Sequence, residues 1–464
     1  MKPLTVNDVR RATGARLLTL PPQGEAPQFT SVCTDSRAVS PGCLFVAIPG
    51  ERFDGHDFVS AAAAAGALAA VVEHPVADPP NGFMLLKVES TRTALGKLGR
   101  HVRQTLRGKV IAVAGSNGKT GTKHLIDAAL SHALRGSVSP KSFNNDIGVP
   151  ATIFAADPTH DYLVLEMGTN HPGEIRTLTG IGLPDIAVIT NCGPEHLEFL
   201  GDLSGVRREN ASIVEGLNRN GLLVVNGDDP ELLHAVEQYP GKRITFGFDR
   251  SNDLFAADVE MSDLGVSFRL NGSRQQQYFV PLLGRHNACN ALAAIAVARR
   301  LGLAENDVRE ALAHARGPDM RLQLVELGGI RILNDAYNAN PASMLAAIET
   351  FCALPAPAGR RVMVLGDMLE LGATSDHHHR EIGQAAARAR PDALVCVGER
   401  ARVLAESAGR AGLPVASIQW HPDSTAAADD LAGWVRPGDL LLLKGSRGVR
   451  LERILDALSK RSAA

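Results

Sequence analysis

Cysteine is sparse in this sequence and falls into no pattern. The six residues (Cys33, Cys43, Cys192, Cys289, Cys352, Cys396) are scattered through 464 positions with no C-x-x-C pair. That argues against a disulfide-framed secreted scaffold and a cysteine-built zinc site, and implies reduced thiols in a cytoplasmic protein. Basic charge is not in surplus either. With 48 Lys and Arg against 50 Asp and Glu, the formal net charge is −2, so no electrostatic footprint for a nucleic acid is present. No apolar run of about 18 residues occurs, and the opening MKPLTVNDVRRATGARLL lacks a signal-peptide core, so no membrane association is expected. No repeat of fixed period is found.

What is present is a globular composition, 45% hydrophobic and 21% charged. At about 150 residues per domain the length predicts roughly three cores. In 1–106, short strand patterns (CLFVAIPG, AAVVE) surround an alanine-rich helical stretch, DFVSAAAAAGALAA, with Gly/Pro breaks at 21–27 and 78–82. In 107–316, the segments GKVIAVAG, DYLVLEMG, DIAVITNCG and GLLVVNGDD alternate with helical patterns, which predicts a parallel sheet covered on both faces. DVEMSDLGVSFRLNGSRQQQYFVPL instead predicts an added antiparallel portion turning at Asn271–Gly272, followed by a helix stopped at Gly302. In 317–464 a second α/β series (GIRILNDAY, RVMVLGDM, ALVCVG, DLLLLKGS) predicts a Rossmann-like domain. The expected fold class is therefore α/β in three domains.

The stretch VIAVAGSNGKTGTKHLIDAAL (110–130) runs from an apolar strand through a glycine turn into a helix. Gly115, Ser116, Asn117 and Gly118 can aim successive backbone N–H groups inward, Lys119 adds a point charge, and the Thr120 hydroxyl can ligate Mg²⁺. The helix N-terminus beneath them favours phosphate. Val113 stands where the eight-residue Walker loop opens with glycine, which excludes that loop but not a shortened one, and the expected ligand is a nucleoside triphosphate. Glu166 and His196 follow the carboxyl ends of predicted strands of the same sheet, where metal and phosphate ligands project.

The motifs GSNGKT, FNNDIGVP, EMGTN, TNCGPEHLE, GRHNACNALAA, NDAYNANPASM, LGDMLELG and KGSRG resemble those of the Mur ligases, in order and across nearly the whole chain. That family comprises ATP-dependent enzymes that assemble the peptide of bacterial cell-wall precursors. YNANPASM, LGDMLELG and KGSR are similar to the branch that joins D-alanyl-D-alanine to UDP-N-acetylmuramoyl-tripeptide (UDP-MurNAc-tripeptide), and TDSRAVSPGCLFVAIPGERFDGHDF to the uridine-nucleotide domain of that branch and of the one acting immediately before it. The resemblance implies that Lys119 and Thr120 hold the β/γ-phosphates of ATP and a first Mg²⁺, with Glu166 and His196 at the metal centre. It places Asn144 and Asn145 beside the phosphates, Asn287 and Asn290 at the adenine, Asp335 at the ribose and Arg321 at the γ-phosphate. Ser36 and Arg37 would contact the UDP-sugar, and Lys444, Ser446 and Arg447 the reaction centre or incoming dipeptide. A single-chain, monomeric enzyme closing on ATP about a hinge near 317 is implied as well.

One departure stands out. The family's second metal site uses a carbamylated lysine in a GVAxAKGEI-like helix, whereas GVRRENASI (205–213) carries Asn210 there and Ser212 where glutamate is common. No lysine occurs between Lys141 and Lys242. A second Mg²⁺ is therefore expected to bind more weakly, through water, or through a different residue. Three further readings concern structure: His377, His378 and His379 as a solvated helix start, Trp434 as core, and Asp367 and Glu370 as either substrate-orienting or helix-capping groups. The functional alternatives are a related ligase adding a different amino acid and a P-loop nucleotide-sensing module.

Overall fold

The computed structural model describes residues 1–19, 27–76 and 82–463. In the N-terminal part, β1 (Arg16–Leu17), β2 (Ser31–Cys33), β3 (Cys43–Val46), β4 (Ala67–Val72) and β5 (Met84–Lys87) lie in the order β1-β5-β4-β3-β2. All neighbours are parallel except β1 with β5. The helix expected over DFVSAAAAAGALAA is shorter than its composition suggests and covers only Val59–Ala64. Gly66, at φ 103°, turns the chain out of the helix, and the following alanines enter β4. The Gly/Pro breaks at 21–27 and 78–82 lie, but for their last residues, outside the described residues.

The central sheet contains β6 (Lys109–Ala114), β7 (Gly136–Val138), β8 (Tyr162–Glu166), β9 (Ile186–Ile189), β10 (Leu222–Asn226), β11 (Lys242–Gly247), β12 (Leu254–Met261), β13 (Val266–Leu270) and β14 (Gln277–Val280). Their order is β14-β13-β12-β11-β10-β9-β6-β8-β7. Neighbours are parallel from β7 to β12, and β12-β13-β14 form the expected antiparallel portion. Asn271 and Gly272 hold φ of 51° and 72° in the turn after β13, the left-handed conformation that Asn-Gly supplies at least cost. Ile111, Val113, Val164 and Val188 pack one face against α1 (Lys119–Ser131) and α4 (His286–Arg300). Val110, Ala112, Leu165 and Ile189 pack the other against the helix Thr91–Arg103 and α2 (Gly148–Ala155); α3 (Leu203–Ala211) lies beyond. Burial on both faces explains why these strands read as continuous apolar runs. From β8 the chain crosses over β6 to β9, and that reversal of strand order opens a crevice at the carboxyl ends of β6, β8 and β9.

The C-terminal sheet has the order β15-β16-β20-β17-β18-β19, with β15 (Gln323–Leu327), β16 (Ile330–Asp335), β17 (Arg361–Gly366), β18 (Ala393–Val397), β19 (Ile418–His421) and β20 (Leu440–Lys444). It is parallel except for the β15–β16 hairpin. Helices α5 (Pro341–Ala353), α6 (Ser375–Ala389) and α7 (Ala401–Arg410) cover one face. Met320 and Leu322, just before β15, hold φ of 57° and 49°, a region that non-glycine residues seldom occupy.

Candidate active site

β6 runs into the phosphate-type loop at Gly115, and the loop passes into α1 at Gly118. Their φ angles are 129° and 80°, which favours glycine. Space demands it too: a Cβ on Gly115 would lie 2.1 Å from Thr190 Oγ1, and one on Gly118 2.6 Å from Asn290 Oδ1. The residues after β9 hold the loop from below. Ser116 N donates to Asn191 O at 2.9 Å, and Asn117 N to Asn191 Oδ1 at 3.0 Å. Lys119 Nζ donates to the carbonyls of Gly115 and Ser116. Thr120 Oγ1, buried at the first turn of α1, meets no partner among the described residues.

Beyond the loop lies a cavity of about 1350 Å³ between the central and C-terminal sheets. Of the residues singled out from the sequence, its wall includes Ser116, Asn117, Gly118, Lys119, Asn144, Asn145, Glu166, His196, Asn287, Asn290, Arg321, Asp335 and Lys444. Gly115 and Thr120 are not part of that wall. A smaller adjoining pocket of about 270 Å³ takes His196 together with Ser446 and Arg447. Asn290 Nδ2 donates to Asn287 Oδ1 at 2.9 Å, and Asn287 Nδ2 to Leu283 O at 2.8 Å, so one turn of α4 sets both amides.

Glu166, at the end of β8, is fully buried. Its Oε2 pairs with Lys123 Nζ at 3.1 Å and its Oε1 accepts from Asn144 Nδ2 at 3.1 Å. His196 occupies the left-handed region at φ 49° and pairs through Nδ1 with Glu370 Oε2, from the loop after β17. From the C-terminal side, Lys444 Nζ pairs with Asp335 Oδ2 at 2.8 Å and donates to Asn338 O at 2.7 Å. Burial pushes the Lys444 ammonium below the ordinary lysine value, against the pull of Asp335. The Arg321 guanidinium lies 4.3 Å from the centre of the Tyr337 ring. A direct link closes the two sides: Asn340 Nδ2 donates to Asn117 Oδ1 at 2.8 Å.

A phosphate-type loop facing a carboxylate, a histidine and the basic groups of a second α/β layer is the arrangement on which known proteins can be compared. The family descriptions "Mur ligase family, catalytic domain", "Mur ligase middle domain" and "Mur ligase, glutamate ligase domain" match residues 28–103, 113–298 and 320–447. A Bacillus subtilis UDP-N-acetylmuramoyl-tripeptide–D-alanyl-D-alanine ligase is 37% identical over 94% of each chain. The chain belongs to the Mur ligase family. The corresponding Escherichia coli ligase is 35% identical over 94% of this chain and 95% of its own. Among solved structures, MurF from Acinetobacter baumannii is 31% identical and superposes with a TM-score of 0.88 over 99% of both chains. MurF from Thermotoga maritima, solved in complex with ADP, is 29% identical with a TM-score of 0.81 over 93% of this chain and 98% of that one.

Not every residue singled out in this Mur ligase comes to the cavity. Ser36 and Arg37 lie in a short 3-10 turn in the N-terminal part, where Asp35 caps the turn and pairs with Arg37 at 2.7 Å. They are outside the cavity wall, to which the N-terminal part contributes Glu51 and Arg92. Asn210 is buried in α3 with its amide donating to Val206 O at 3.0 Å, turned back on its own helix and absent from the wall. His379 corrects the reading of a solvated histidine run. It is fully buried, donating from Nδ1 to Ser375 O at 2.8 Å and accepting from Met368 N at Nε2, because one face of α6 packs on the sheet. Trp434 is a rim residue rather than core: its indole donates to Asp430 and Arg360 stacks on it. Asp367 caps α7 through the Ala401 amide at 2.7 Å, whereas Glu370 reaches His196.

Three residues were missed. Lys123 is one helical turn after Lys119 and so shares its face, a signal that was available. Asn340 and Glu195 both lie inside the quoted motifs, but their importance depends on contacts that a sequence does not display.

Proposed function

We propose that this ATP-dependent Mur ligase joins D-alanyl-D-alanine to UDP-MurNAc-tripeptide, completing UDP-MurNAc-pentapeptide in the cytoplasm and acting as a monomer. One geometric observation carries the ligase reading: a phosphate-type loop and the basic end of a second α/β domain share a single cavity. The substrate assignment draws on ligases of that name to which the chain is similar along nearly its whole length. Domains of 1–106, 107–316 and 317–464 are assigned to UDP-sugar binding, ATP binding and ligation.

A carboxylate is a poor acyl donor because oxide must leave. Transfer of the γ-phosphoryl group of ATP to the tripeptide carboxylate gives an acyl phosphate, which the dipeptide amine attacks, and phosphate departs from the tetrahedral intermediate. Negative charge accumulates in both stages, so positioning and electrostatics are the protein's main contribution. Lys119 is assigned to the β/γ-phosphates and Arg321 to the γ-phosphate, with Asn287 and Asn290 at the adenine and Asp335 at the ribose. Asn144 and Asn145 flank the phosphates, Ser36 and Arg37 hold the UDP-sugar, and Lys444, Ser446 and Arg447 face the reacting ends. The buried, unpartnered Thr120 Oγ1 suits a hard cation and would hold a first Mg²⁺, which screens phosphate charge when bound; Glu166 and His196 would serve the same metal centre. Arg321 and Asp335 lie beyond the segment near 317 that joins the two α/β parts, and closure about that segment before transfer would keep water from the acyl phosphate.

The test is phosphate release from ATP with either substrate, both or neither. Release only with UDP-MurNAc-tripeptide and D-Ala-D-Ala together, with ¹⁸O passing from the tripeptide carboxyl into phosphate, is the expected result. Release with neither substrate would mark a plain ATPase, and phosphate free of the label would rule out the acyl phosphate. Running it with tripeptides ending in lysine and in diaminopimelate identifies the third residue.

A further inference from the structure

We propose that Glu195 is a metal ligand of this cavity and, with His196, supplies a divalent cation with the charged donor that Asn210 does not offer. The inference rests on the ATP-dependent ligase reading and names a residue of the same site.

Three observations converge. The amide of Asn210 is engaged by its own helix and lies outside the cavity wall, so α3 brings no charge to the site. Glu195 is 7% exposed, lines both the main cavity and its smaller neighbour, and its buried Oε1 meets no hydrogen-bond donor among the described residues. A buried carboxylate left in that state is costly unless a cation reaches it. His196 is oriented to share that cation. In the tautomer that donates Nδ1–H to Glu370, Nε2 carries the lone pair, and Glu195 Oε2 lies 4.0 Å from it. A carboxylate on one ring nitrogen and a metal on the other is the usual way a ligating histidine is held. Two donors so separated can bracket one cation, since Mg²⁺–ligand distances are about 2.1 Å. Glu166 lines the same cavity from the end of β8.

Two other donor groups among the described residues, Asp54–His56–His74 and His377–His378–Glu381, lack this combination. His56 has both ring nitrogens engaged, by Asp54 and by the Glu73 amide. In the second group His377 and His378 are each already paired with the exposed Glu381.

The experiment counts Mn²⁺ bound to the full chain in the presence of ADP, by the loss of the free-ion EPR signal, for the native protein and for Glu195→Gln. The native chain should hold two ions. Glu195→Gln should retain the one attached to ADP and Thr120 with unchanged affinity, and bind the other roughly tenfold more weakly or not at all. ADP affinity and thermal melting report on folding. Glu195→Asp, which keeps the charge but shortens the reach, provides the same measurement if the amide variant does not fold, and should also weaken the second ion. Two ions held equally well by either folded variant, or one ion in the native chain, would overturn the assignment. Phosphate release that still requires both substrates would in that case leave the ligase reading standing, so the two failures are separable.

Discussion

Asn340 Nδ2 donates to Asn117 Oδ1 at 2.8 Å, so the residue that caps α5 also holds the phosphate-type loop of another domain. Its Oδ1 accepts from Ser343 N at 2.9 Å, which leaves the amide nitrogen for the loop. The two roles are separable by substitution. Asn340→Ala should cost about 0.5–2 kcal/mol through the lost cap. Asn340→Ser keeps a capping oxygen and should melt near the native temperature, yet raise KM for ATP about fivefold through one missing hydrogen bond. Equal ATP kinetics for Asn340→Ser and the native enzyme would show that the inter-domain bond does no positioning.

Lys123 and Glu166 form a fully buried ion pair next to the cavity. Lys123→Met leaves the carboxylate without its cation and should destabilise the central domain by about 3–5 kcal/mol. Removing both charges, as in Lys123→Met with Glu166→Leu, should restore most of that stability while abolishing turnover. Denaturation midpoints and phosphate release measure the two effects independently. A native-like midpoint for Lys123→Met alone would mean that water already solvates the pair.

Gly118 combines φ 80° with a hypothetical Cβ only 2.6 Å from Asn290 Oδ1. Gly118→Ala must therefore either strain the loop, at about 1–2 kcal/mol, or displace the Asn290 amide. In both cases ADP affinity by calorimetry should fall about tenfold or more. Undiminished affinity would place the nucleotide elsewhere.

Cys33 lies two residues before Asp35, at the turn carrying Ser36 and Arg37. The neighbouring Cys43 side chain favours its thiolate and holds the thiol below the ordinary value of 9.0, while burial pushes Cys192, Cys289, Cys352 and Cys396 upward. Thiolate is the reactive form, so alkylation of Cys33 should persist as pH falls below 9.0 and decline only through its lowered value. Iodoacetamide at neutral pH should thus modify Cys33 before the more exposed Cys352. The reverse order by peptide mass mapping would contradict the Cys33–Cys43 interaction.

Much of the fold was legible because buried parallel strands must be apolar on both faces. VIAVA, YLVLE and LLLLK therefore announced themselves as strands, and Gly115 and Gly118 marked the turn into α1. The alanine-rich stretch misled because alanine's helix preference is a weak prior that burial in the sheet overrides at Ala67–Val72; Gly66 decided where one became the other. Histidine burial was invisible for a related reason. His377, His378 and His379 are alike as residues, and only the packing of α6 separates the buried ring from its neighbours.

The sequence by itself determined the order of strands and helices, the phosphate-type loop and the residues able to carry charge, because hydrophobic period, glycine and ionisable groups act locally. Only the tertiary structure decided which charges meet. It set Lys123 against Glu166, Lys444 against Asp335 and Glu370 against His196, and it turned Asn210 away from the cavity while leaving Glu195 facing it. Electrostatic pairing depends on distance and burial in space, and neither quantity is a property of position along the chain.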